Sequence, residues 1–354
     1  MKIFVINPGS TSTKLAIYED ENQIWAKSVH HPVEELTKFQ QINEQYEYRK
    51  EFIARVLADD GIAPEFDAVI ARGGLLKPTP GGVYAVNERM KHDLIHAEKE
   101  HASNLGALIA DEMSRACGCP AYIADPVVVD ERISEAIPTG IPEIERISIF
   151  HALNSKAVSR KYASSISKRY EDLNLIVVHL GGGISVGAHR KGRVIDVNNA
   201  LDGDGPFSPE RAGTIPAGQL VELCFSGKYT LRQVKKMLNG GGGLTAHLGE
   251  TDMRVIAAKA EAGEEPYKGV LEAMMYSVGK EVGARYVALQ GQADAIIITG
   301  GIAHSKYCVE LLKRWIDYLA PIVLMPGEDE MGSLAYNALG ALRGELVLQI
   351  YQPE

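Results

Sequence analysis

The chain has 354 residues, of which 45% are hydrophobic and 23% are charged, a composition typical of a globular protein of about two domains. This composition excludes a disordered chain, a collagen and a coiled coil. The formal charge of −9 excludes a general attraction to nucleic acids or anionic lipids. An anionic ligand must therefore be held by local cations and backbone N–H groups.

Cysteine usage and hydropathy indicate a protein of the cytoplasm. The four cysteines have no regular spacing and do not form a disulfide framework. The apolar run at residues 3–6 is too short for a signal peptide. No stretch of the sequence reaches the roughly 20 apolar residues of a membrane span. We therefore expect a soluble cytoplasmic protein with no nucleic-acid or membrane partner.

The amino-terminal part of the chain alternates between short apolar runs and helical spacing of apolar residues. Apolar runs between polar turns predict strands, and apolar residues three or four positions apart predict helices. The predicted elements are strands at residues 3–6 and 15–18, a helix at 34–58, a strand at 67–71, a helix at 101–117 that ends at Gly118, and a strand at 121–124. This alternation indicates an α/β sheet covered on both faces.

The carboxyl-terminal part repeats the opening pattern. Its predicted elements are strands at 175–178, 184–188 and 194–197, helices at 217–225 and 231–238, a glycine loop at 240–243, a helix at 264–289 and a strand at 294–299. A strand, a loop of small residues, a second strand, a turn and a third strand open both parts. We interpret this as a duplication that gives two α/β domains.

Three turns of small residues stand at the ends of predicted strands, at residues 7–13, 179–183 and 299–301. Small side chains let the backbone approach a phosphate closely, and successive N–H groups form an anion-binding concavity. The first turn also carries the hydroxyl groups of Ser10 and Ser12 and the ammonium group of Lys14. The third turn is predicted to lead into a helix N-terminus. Three such turns in a duplicated frame predict a site for phosphoryl groups.

Other common motifs are missing from the sequence. It contains no G-x-x-x-x-G-K-[ST] P-loop, no G-x-G-x-x-G that opens a helix, no G-x-S-x-G elbow and no H-E-x-x-H. His92, His96 and His101 resemble a metal cluster only in composition, and we interpret them as a solvated helix face. Cys117 and Cys119 lack a second ligand pair, so we interpret them as reduced thiols.

The small-residue turns resemble those of the acetate and butyrate kinase family, in the segments at residues 6–14 (INPGSTSTK), 178–185 (VHLGGGIS) and 299–302 (TGGI). The resemblance covers essentially the whole chain in the same order. Residues 196–207 and 71–76 resemble the butyrate branch of the family. Gly182 stands where acetate kinases have asparagine, which also favours that branch.

The resemblance implies an α/β fold made of two ribonuclease-H-like domains with a nucleotide cleft between them, as in sugar kinases, actin and the Hsp70 ATPase. It implies a carboxylate-side domain of residues 1–147 and 334–354 and a nucleotide-binding domain of residues 148–333. Domain closure that keeps water from the acyl phosphate would hinge near residues 145–148 and near Ser333. A homodimer or a higher homo-oligomer is a further expectation from the family.

The reaction implied by the resemblance is transfer of the γ-phosphoryl group of ATP, with Mg²⁺, to the carboxylate of butyrate or a related short- or branched-chain fatty acid. The products are an acyl phosphate and ADP, and the transfer is reversible. The resemblance assigns Arg72 to the substrate carboxylate, Arg211 and His151 to the transferring phosphoryl group, and Asp125 to orienting an arginine or a metal-bound water.

The resemblance also implies the residues that bind the nucleotide and the metal. Those on the phosphate side are Asn7, Ser10, Ser12, Lys14, His179, Gly181, Gly182 and Gly183, and those that pack against the adenosine are Gly300 and Gly301. Mg²⁺ is assigned to Glu330 together with Asn7, and the adjacent Glu328 and Asp329 are alternatives for this carboxylate.

The acyl chain needs an apolar pocket, for which His101 and residues 127–129 are candidates. Each buried CH₂ group contributes about 0.8 kcal/mol, so butyrate, isobutyrate, isovalerate and propionate are expected to overlap as substrates. Two other functions stay open at this point. One is a small-molecule kinase of the same superfamily that acts on a hydroxyl group, and the other is a non-catalytic ATPase like actin or Hsp70.

Overall fold

The computed structural model describes residues 1–97 and 100–353, which form two compact units. Unit 1 comprises Met1–Asp130, Ala152–Asn154 and Asp329–Glu354, and unit 2 comprises Glu131–His151 and Ser155–Glu328. The predicted domain boundaries after residue 147 and before residue 334 stay predictions, as do the hinges near them.

The strands, in chain order, are β1 (Lys2–Pro8), β2 (Ser12–Glu19), β3 (Asn22–His30), β4 (Ala68–Arg72), β5 (Val83–Ala85), β6 (Ala121–Ala124), β7 (Asn174–Leu180), β8 (Ile184–Arg190), β9 (Arg193–Val197), β10 (Ala295–Gly300), β11 (Ile322–Pro326) and β12 (Leu348–Ile350). Short 3₁₀ helices form at Ile42–Gln45, Ser134–Ala136, Tyr170–Asp172 and Gly301–His304.

The α-helices are α1 (Val33–Leu36), α2 (Tyr46–Asp59), α3 (Glu88–Ile95), α4 (Asn104–Cys117), α5 (Ala152–Ser165), α6 (Ala217–Phe225), α7 (Leu231–Leu238), α8 (Gly243–Leu248), α9 (Met253–Glu261), α10 (Tyr267–Ala288), α11 (Lys306–Ile316) and α12 (Glu330–Leu342). Within the described ranges, none of these helices combines the length and the apolar character needed to cross a membrane.

Unit 1 is built on a seven-stranded sheet with the order β12-β5-β6-β4-β1-β2-β3. β1, β2 and β3 form an antiparallel meander, whereas β4 is parallel to both β1 and β6. Side chains alternate across a strand, so Phe4 and Ile6 pack with the apolar residues of α2 and α4, and Ile3 and Val5 pack with those of α12. Because both faces are covered, β1 has the continuous apolar sequence that the prediction used.

Unit 2 repeats this construction on a five-stranded sheet with the order β11-β10-β7-β8-β9. β7, β8 and β9 form the antiparallel meander, and β10 runs parallel to β7 and β11. Ile176 and Val178 pack with α10 and α11, and Leu175 and Val177 face the cluster that contains Val158 of α5. The predicted duplication is therefore confirmed: each unit opens on a three-stranded meander and continues with parallel strands.

The predicted helix at 34–58 is wrong in its amino-terminal half. The chain forms α1, then a 3₁₀ helix, and only then α2. The Thr37 hydroxyl donates to the carbonyl group of Glu34, and Gln41 starts the 3₁₀ helix through a reciprocal cap with Glu44. Apolar residues keep helical spacing across this interruption, so their periodicity alone could not reveal it.

Two other predicted helices differ at one end. The helix predicted to begin at residue 101 begins at Asn104 and ends, as predicted, before Gly118, whose φ of +67° is the left-handed conformation of a helix cap. The helix predicted to begin at residue 264 begins at Tyr267, directly after Pro266. Proline suits a position at the start of a helix because it lacks an N–H donor.

Candidate active site

In unit 1, the carboxyl ends of the parallel strands β1, β4 and β6 meet at one edge of the sheet. Asn7 lies at the end of β1, Arg72 ends β4, and Asp125 directly follows β6. The strand register puts these three positions next to one another. This edge is where α/β sheets bind ligands, so the structure brings three predicted site residues to the expected place.

Glu330 joins two of these residues. The Asn7 amide Nδ2 donates to Glu330 Oε2 over 2.7 Å, and Arg72 Nη1 lies 3.2 Å from Glu330 Oε1. Glu330 is the first residue of α12, where the helix dipole favours a negative charge. The preceding Asp329 is the helix cap, and its Oδ1 accepts the N–H of Gly332. Of these two carboxylates, it is therefore Glu330 that faces Asn7 and Arg72.

Asp125 is buried and its backbone has a φ of +38°, a conformation that residues other than glycine rarely adopt. Two hydrogen bonds with one residue hold it there. Asp125 Oδ1 accepts the N–H of Gly82 at 2.8 Å, and the Asp125 N–H donates to the carbonyl of Gly82 at 3.0 Å. Strained residues held in this way are typical of functional sites.

The acyl-side candidates lie in the same unit. His101 Nδ1 is 2.7 Å from the Ser103 hydroxyl. Burial lowers the pKa of His101, and the positive charges of Arg72 and Arg49 lower it further, so the imidazole is neutral at pH 7. Val128 is buried in an apolar cluster with Leu76, which lies in the segment that follows Arg72 and β4. The predicted pocket wall is thus a buried apolar segment of unit 1.

The first small-residue turn connects β1 to β2. It is closed by the N–H of Gly9, which donates to the carbonyl of Ser12 over 2.7 Å. Ser10 is exposed and Ser12 is half-buried. Lys14 is exposed on β2, directly opposite Asn7 in the strand register. These residues are accessible to a ligand of unit 1.

In unit 2, the carboxyl ends of the parallel strands β7, β10 and β11 also share one edge. The register pairs His179 with Thr299 and Gly300 with Pro326. The second and third small-residue turns, at residues 179–183 and 299–301, therefore lie side by side. The structure brings these predicted phosphate and adenosine residues together.

His179 and His151 form a stacked pair. Their ring centroids are 3.6 Å apart and their planes differ by 4°. His151 Nδ1 lies 3.0 Å from the Ser185 hydroxyl, and His179 Nε2 lies 3.0 Å from Glu328 Oε1. The stack therefore holds the imidazole of His151 beside that of His179, at the start of the second small-residue turn.

Arg211 lies in the loop between β9 and α6, and hydrogen bonds join this loop to the second turn. The Ser208 hydroxyl and the N–H of Glu210 both donate to the carbonyl of Gly182, at 2.6 and 3.2 Å. Arg211 Nη1 lies 3.2 Å from Glu210 Oε2. Its Nε is buried and meets no acceptor among the described residues. A buried donor of this kind beside a glycine turn suits an anionic ligand.

The third turn connects the end of β10 to a 3₁₀ helix. Gly300 ends β10 with a φ of +88° and exchanges two backbone hydrogen bonds with Gly327, at 3.1 and 2.9 Å. A 3₁₀ helix follows at Gly301–His304, and α11 begins only at Lys306 with Ser305 as its cap. The turn therefore ends a strand and leads into a helix, as predicted, and that helix is a 3₁₀ helix that precedes α11.

Replacing Gly300 by alanine is expected to lower the free energy of unfolding of unit 2 by about 2–4 kcal/mol. The new Cβ would overlap the carbonyl group of Leu180 in β7, and the positive φ would add strain. The matched control is Gly301→Ala, where a Cβ would meet no atom within 4 Å, and its expected effect is below about 1 kcal/mol. Urea unfolding followed by circular dichroism measures both, and equal stability of the two variants would contradict the prediction.

Sequence reasoning missed Arg49, which shapes the first turn, and the contact that Glu328 makes with His179. Arg49 of α2 donates to the carbonyl groups of Gly9 and Ser10. A charged residue on the apolar stripe of a predicted helix was the pattern that could have identified it, because Arg49 has helical spacing from Ile53. The contact of Glu328 with His179 left no such pattern, since it depends on strand order.

Two comparisons of sequence bear on this site. A family model described as the acetokinase family matches residues 136–320. A protein of Phocaeicola vulgatus described as a probable butyrate kinase is 75% identical, and the alignment covers 100% of both chains. Butyrate kinase 1 of Clostridium acetobutylicum is 49% identical, with 97% of this chain and 98% of that protein covered.

Solved structures with the same fold are also found. Acetate kinase of Porphyromonas gingivalis superimposes with a TM-score of 0.80 at 18% identity, over 96% of this chain and 99% of the other. A propionate kinase of Francisella tularensis gives a TM-score of 0.75 at 18% identity, over 95% and 98% of the two chains. These matches confirm the predicted fold class. With a family model that spans more than half of its length and relatives aligned from end to end, the chain belongs to the acetokinase family.

Proposed function

We propose that the protein transfers the γ-phosphoryl group of ATP to the carboxylate of butyrate or a related short- or branched-chain fatty acid. A carboxylate oxygen forms a bond to the γ-phosphorus while the bond from that phosphorus to the β–γ bridging oxygen breaks, and ADP leaves with the electron pair. The reverse reaction makes ATP from the acyl phosphate. Full-length relatives described as butyrate kinases support this proposal, and the single observation that carries it is the contact of Arg72 and Asn7 with Glu330.

The chemistry of the nucleophile explains why cations dominate the site. A carboxylic acid with a pKa near that of glutamate, about 4.3, is ionised at neutral pH and needs no general base. Its approach to a polyphosphate is opposed by repulsion of about 4 kcal/mol for unit charges 4 Å apart at an effective dielectric constant of 20. The residues must therefore neutralise charge and align the reactants.

In unit 1, we assign Arg72 to the substrate carboxylate. A guanidinium group binds two carboxylate oxygens at once, which also fixes the direction of attack. Glu330 orients Arg72 through their 3.2 Å contact. Asp125, fixed by Gly82, is assigned to orienting the cationic groups at the same sheet edge. The buried segment that includes Val128 would contact the acyl chain.

The oxygen atoms of Glu330 and Asn7 suit Mg²⁺, which prefers hard oxygen ligands and binds through few carboxylates and several waters. Glu330 Oε2 keeps a second lone pair beside the hydrogen bond that it accepts from Asn7, and, within the described part of the chain, Glu330 Oε1 has only the ion-pair contact with Arg72. When bound, Mg²⁺ would offset the charge of the phosphate oxygens.

In unit 2, we assign Arg211 and His151 to the transferring phosphoryl group and the turn at residues 181–183 to the phosphates. The buried Nε of Arg211 and the adjacent glycine turn support this assignment. His179 supports His151 by stacking, and Glu328 Oε1 lies 3.0 Å from His179 Nε2. Gly300 and Gly301 are assigned to the adenosine, since a glycine surface lets a planar base approach closely.

Transfer to a hydroxyl group is the less favoured alternative. An alcohol requires a base to take its proton. Asp125, a carboxylate at the same sheet edge, accepts the N–H of Gly82 with its Oδ1, whereas Arg72 suits an acceptor that is already ionised. The sequence relatives are carboxylate kinases by description. A non-catalytic ATPase is also less favoured, because the sequence relatives are described as kinases.

The proposal is tested by a hydroxamate assay with linear and branched acids of two to six carbons. ATP, Mg²⁺, acid and hydroxylamine should give acyl hydroxamate fastest with acids of four or five carbons. Each methylene group changes kcat/KM by about fourfold at most, so neighbouring acids overlap. Hydroxamate at the blank level with every acid, together with phosphorylation of an alcohol, would overturn the proposal.

A further inference from the structure

Arg49 of α2 is completely buried in unit 1, and it uses all of its N–H donors. Nε and Nη2 donate to Gln45 Oε1 at 3.1 and 2.9 Å. Nη1 donates to the carbonyl of Gly9 at 2.9 Å and to the Thr13 hydroxyl at 3.2 Å. Nη2 also donates to the carbonyl of Ser10 at 3.0 Å. The guanidinium group therefore lies beneath the first small-residue turn and fixes it at three points.

All of these acceptors are neutral. Among the residues that the structure describes, no carboxylate lies within ion-pair distance of Arg49. Burial lowers the pKa of Arg49 to about 10, so the group stays protonated at pH 7. The neighbouring His31 is neutral at that pH, because burial and the charge of Arg49 lower its pKa to about 4. Burying a charge without a counter-charge lowers the stability of a folded protein. An arginine at this position therefore needs a functional explanation.

Peptide geometry gives that reason. The C=O and N–H groups of one trans peptide point in opposite directions. Since the carbonyl groups of Gly9 and Ser10 point at Arg49, the N–H groups of Ser10 and Thr11 point away from it. No acceptor within the described ranges receives a hydrogen bond from either of these N–H groups. Two neighbouring N–H groups that point in the same direction form an anion-binding nest. Because Ser10 is exposed, a ligand can reach this nest.

We propose that Arg49 is the positioning residue of the phosphate turn: it fixes the N–H groups of Ser10 and Thr11 toward a phosphate group of the nucleotide, whose negative charge then balances its own. This inference rests on the proposed function in taking the nucleotide as the anion. Arg49 is buried behind the turn and acts through the backbone, so it does not itself contact the phosphate.

The test is equilibrium binding of MgATP and of adenosine to Arg49→Gln, Arg49→Lys and the unchanged protein. Arg49→Gln should raise the dissociation constant for MgATP about tenfold to hundredfold, the range expected for losing a charge-assisted interaction. The dissociation constant for adenosine, which has no phosphate, should change less than about twofold, a difference that a general loss of structure would not give. Arg49→Lys keeps the charge but not the five-donor fork, so its loss should be intermediate.

Arg55→Gln is the matched control, because it makes the same change at an exposed position of the same helix. It should leave both dissociation constants unchanged. If Arg49→Gln does not fold, Gln45→Leu decides the question: it removes one acceptor of Arg49 and should weaken MgATP selectively by about threefold to tenfold. Equal weakening of MgATP and adenosine, no weakening in folded variants, or failure of both variants to fold would overturn the proposal.

The binding measurement separates this inference from the proposed function. If the unchanged protein binds MgATP but forms no acyl phosphate, the proposed function fails and the role of Arg49 is still decided by binding. If the unchanged protein forms acyl phosphate and Arg49→Gln binds MgATP normally, only the role of Arg49 fails.

Discussion

Replacing Arg211 by alanine is expected to lower kcat for acyl-phosphate formation by about 10³-fold, the lower end of the range for an arginine that stabilises a transferring phosphoryl group. The buried Nε of Arg211 and its loop, which is hydrogen-bonded to Gly182, are the basis of this expectation. KM for butyrate and for MgATP should change far less than kcat, because the interaction strengthens in the transition state. Steady-state hydroxamate kinetics measure all three constants.

The fold should survive this substitution. Arg211 pairs with Glu210, whose side chain is 43% exposed, and exposed ion pairs contribute little to stability. Arg211→Lys should recover part of kcat, since an ammonium group keeps the charge but not the fork. Arg232→Ala, at an exposed position of α7, is the control and should retain full activity. A folded Arg211→Ala with kcat within about threefold of the unchanged protein would exclude the role assigned to Arg211.

Replacing Arg72 by alanine should raise KM for butyrate about 10²-fold and change KM for MgATP only slightly, because a bidentate contact with the substrate carboxylate would be lost. The substitution also frees Glu330, whose contact with Arg72 is 3.2 Å long. Initial rates over a matrix of butyrate and MgATP concentrations separate the two constants. Arg72→Lys should fall between alanine and arginine.

The control for Arg72 is Arg89→Ala in the same unit. Arg89 is half exposed and pairs with Asp93 one helical turn away, a contact of the kind that contributes a few tenths of a kcal/mol. Arg89→Ala should leave KM for butyrate and KM for MgATP unchanged. If Arg72→Ala instead raised KM for MgATP and left KM for butyrate within about twofold, Arg72 would belong to the nucleotide and not to the acid.

The sequence was sufficient to predict the strands and turns that open both units. Each meander begins with a strand that is buried on both faces, so its apolar run is continuous and easily recognised, as in β1 and β7. The small-residue turns follow those strands directly. Because parallel strands place their carboxyl ends at one edge, the position of the site residues within each unit followed from strand order.

Local interruptions and long-range contacts could not be predicted. The break between α1 and α2 depends on hydrogen bonds at Thr37 and Gln41. The helical periodicity of the apolar residues carries no information about these hydrogen bonds. The position of Arg49 on the apolar stripe of α2 indicates a buried charge, but its partners could not be predicted, because they lie in the first turn and meet Arg49 only when α2 folds against it. Such contacts join residues far apart in the chain.

The acidic run at residues 328–330 illustrates the same limit. Its three carboxylates have the same chemistry, and the sequence left their roles open. In the structure, Glu328 contacts His179 in unit 2, Asp329 caps α12, and Glu330 contacts Arg72 and Asn7 in unit 1. These three roles differ because α12 begins at Glu330, so that Glu328 precedes the helix and Asp329 caps it.

Attack by a carboxylate oxygen on the transferred phosphorus is tested most directly by ³¹P NMR with butyrate labelled with ¹⁸O in both carboxylate oxygens. Attack by the carboxylate puts a labelled oxygen between carbon and phosphorus, so the acyl-phosphate resonance should show the upfield isotope shift of one bridging ¹⁸O. Unlabelled acid should give the unshifted resonance. ATP turnover that yields only inorganic phosphate, or an acyl phosphate without the shift, would contradict the account.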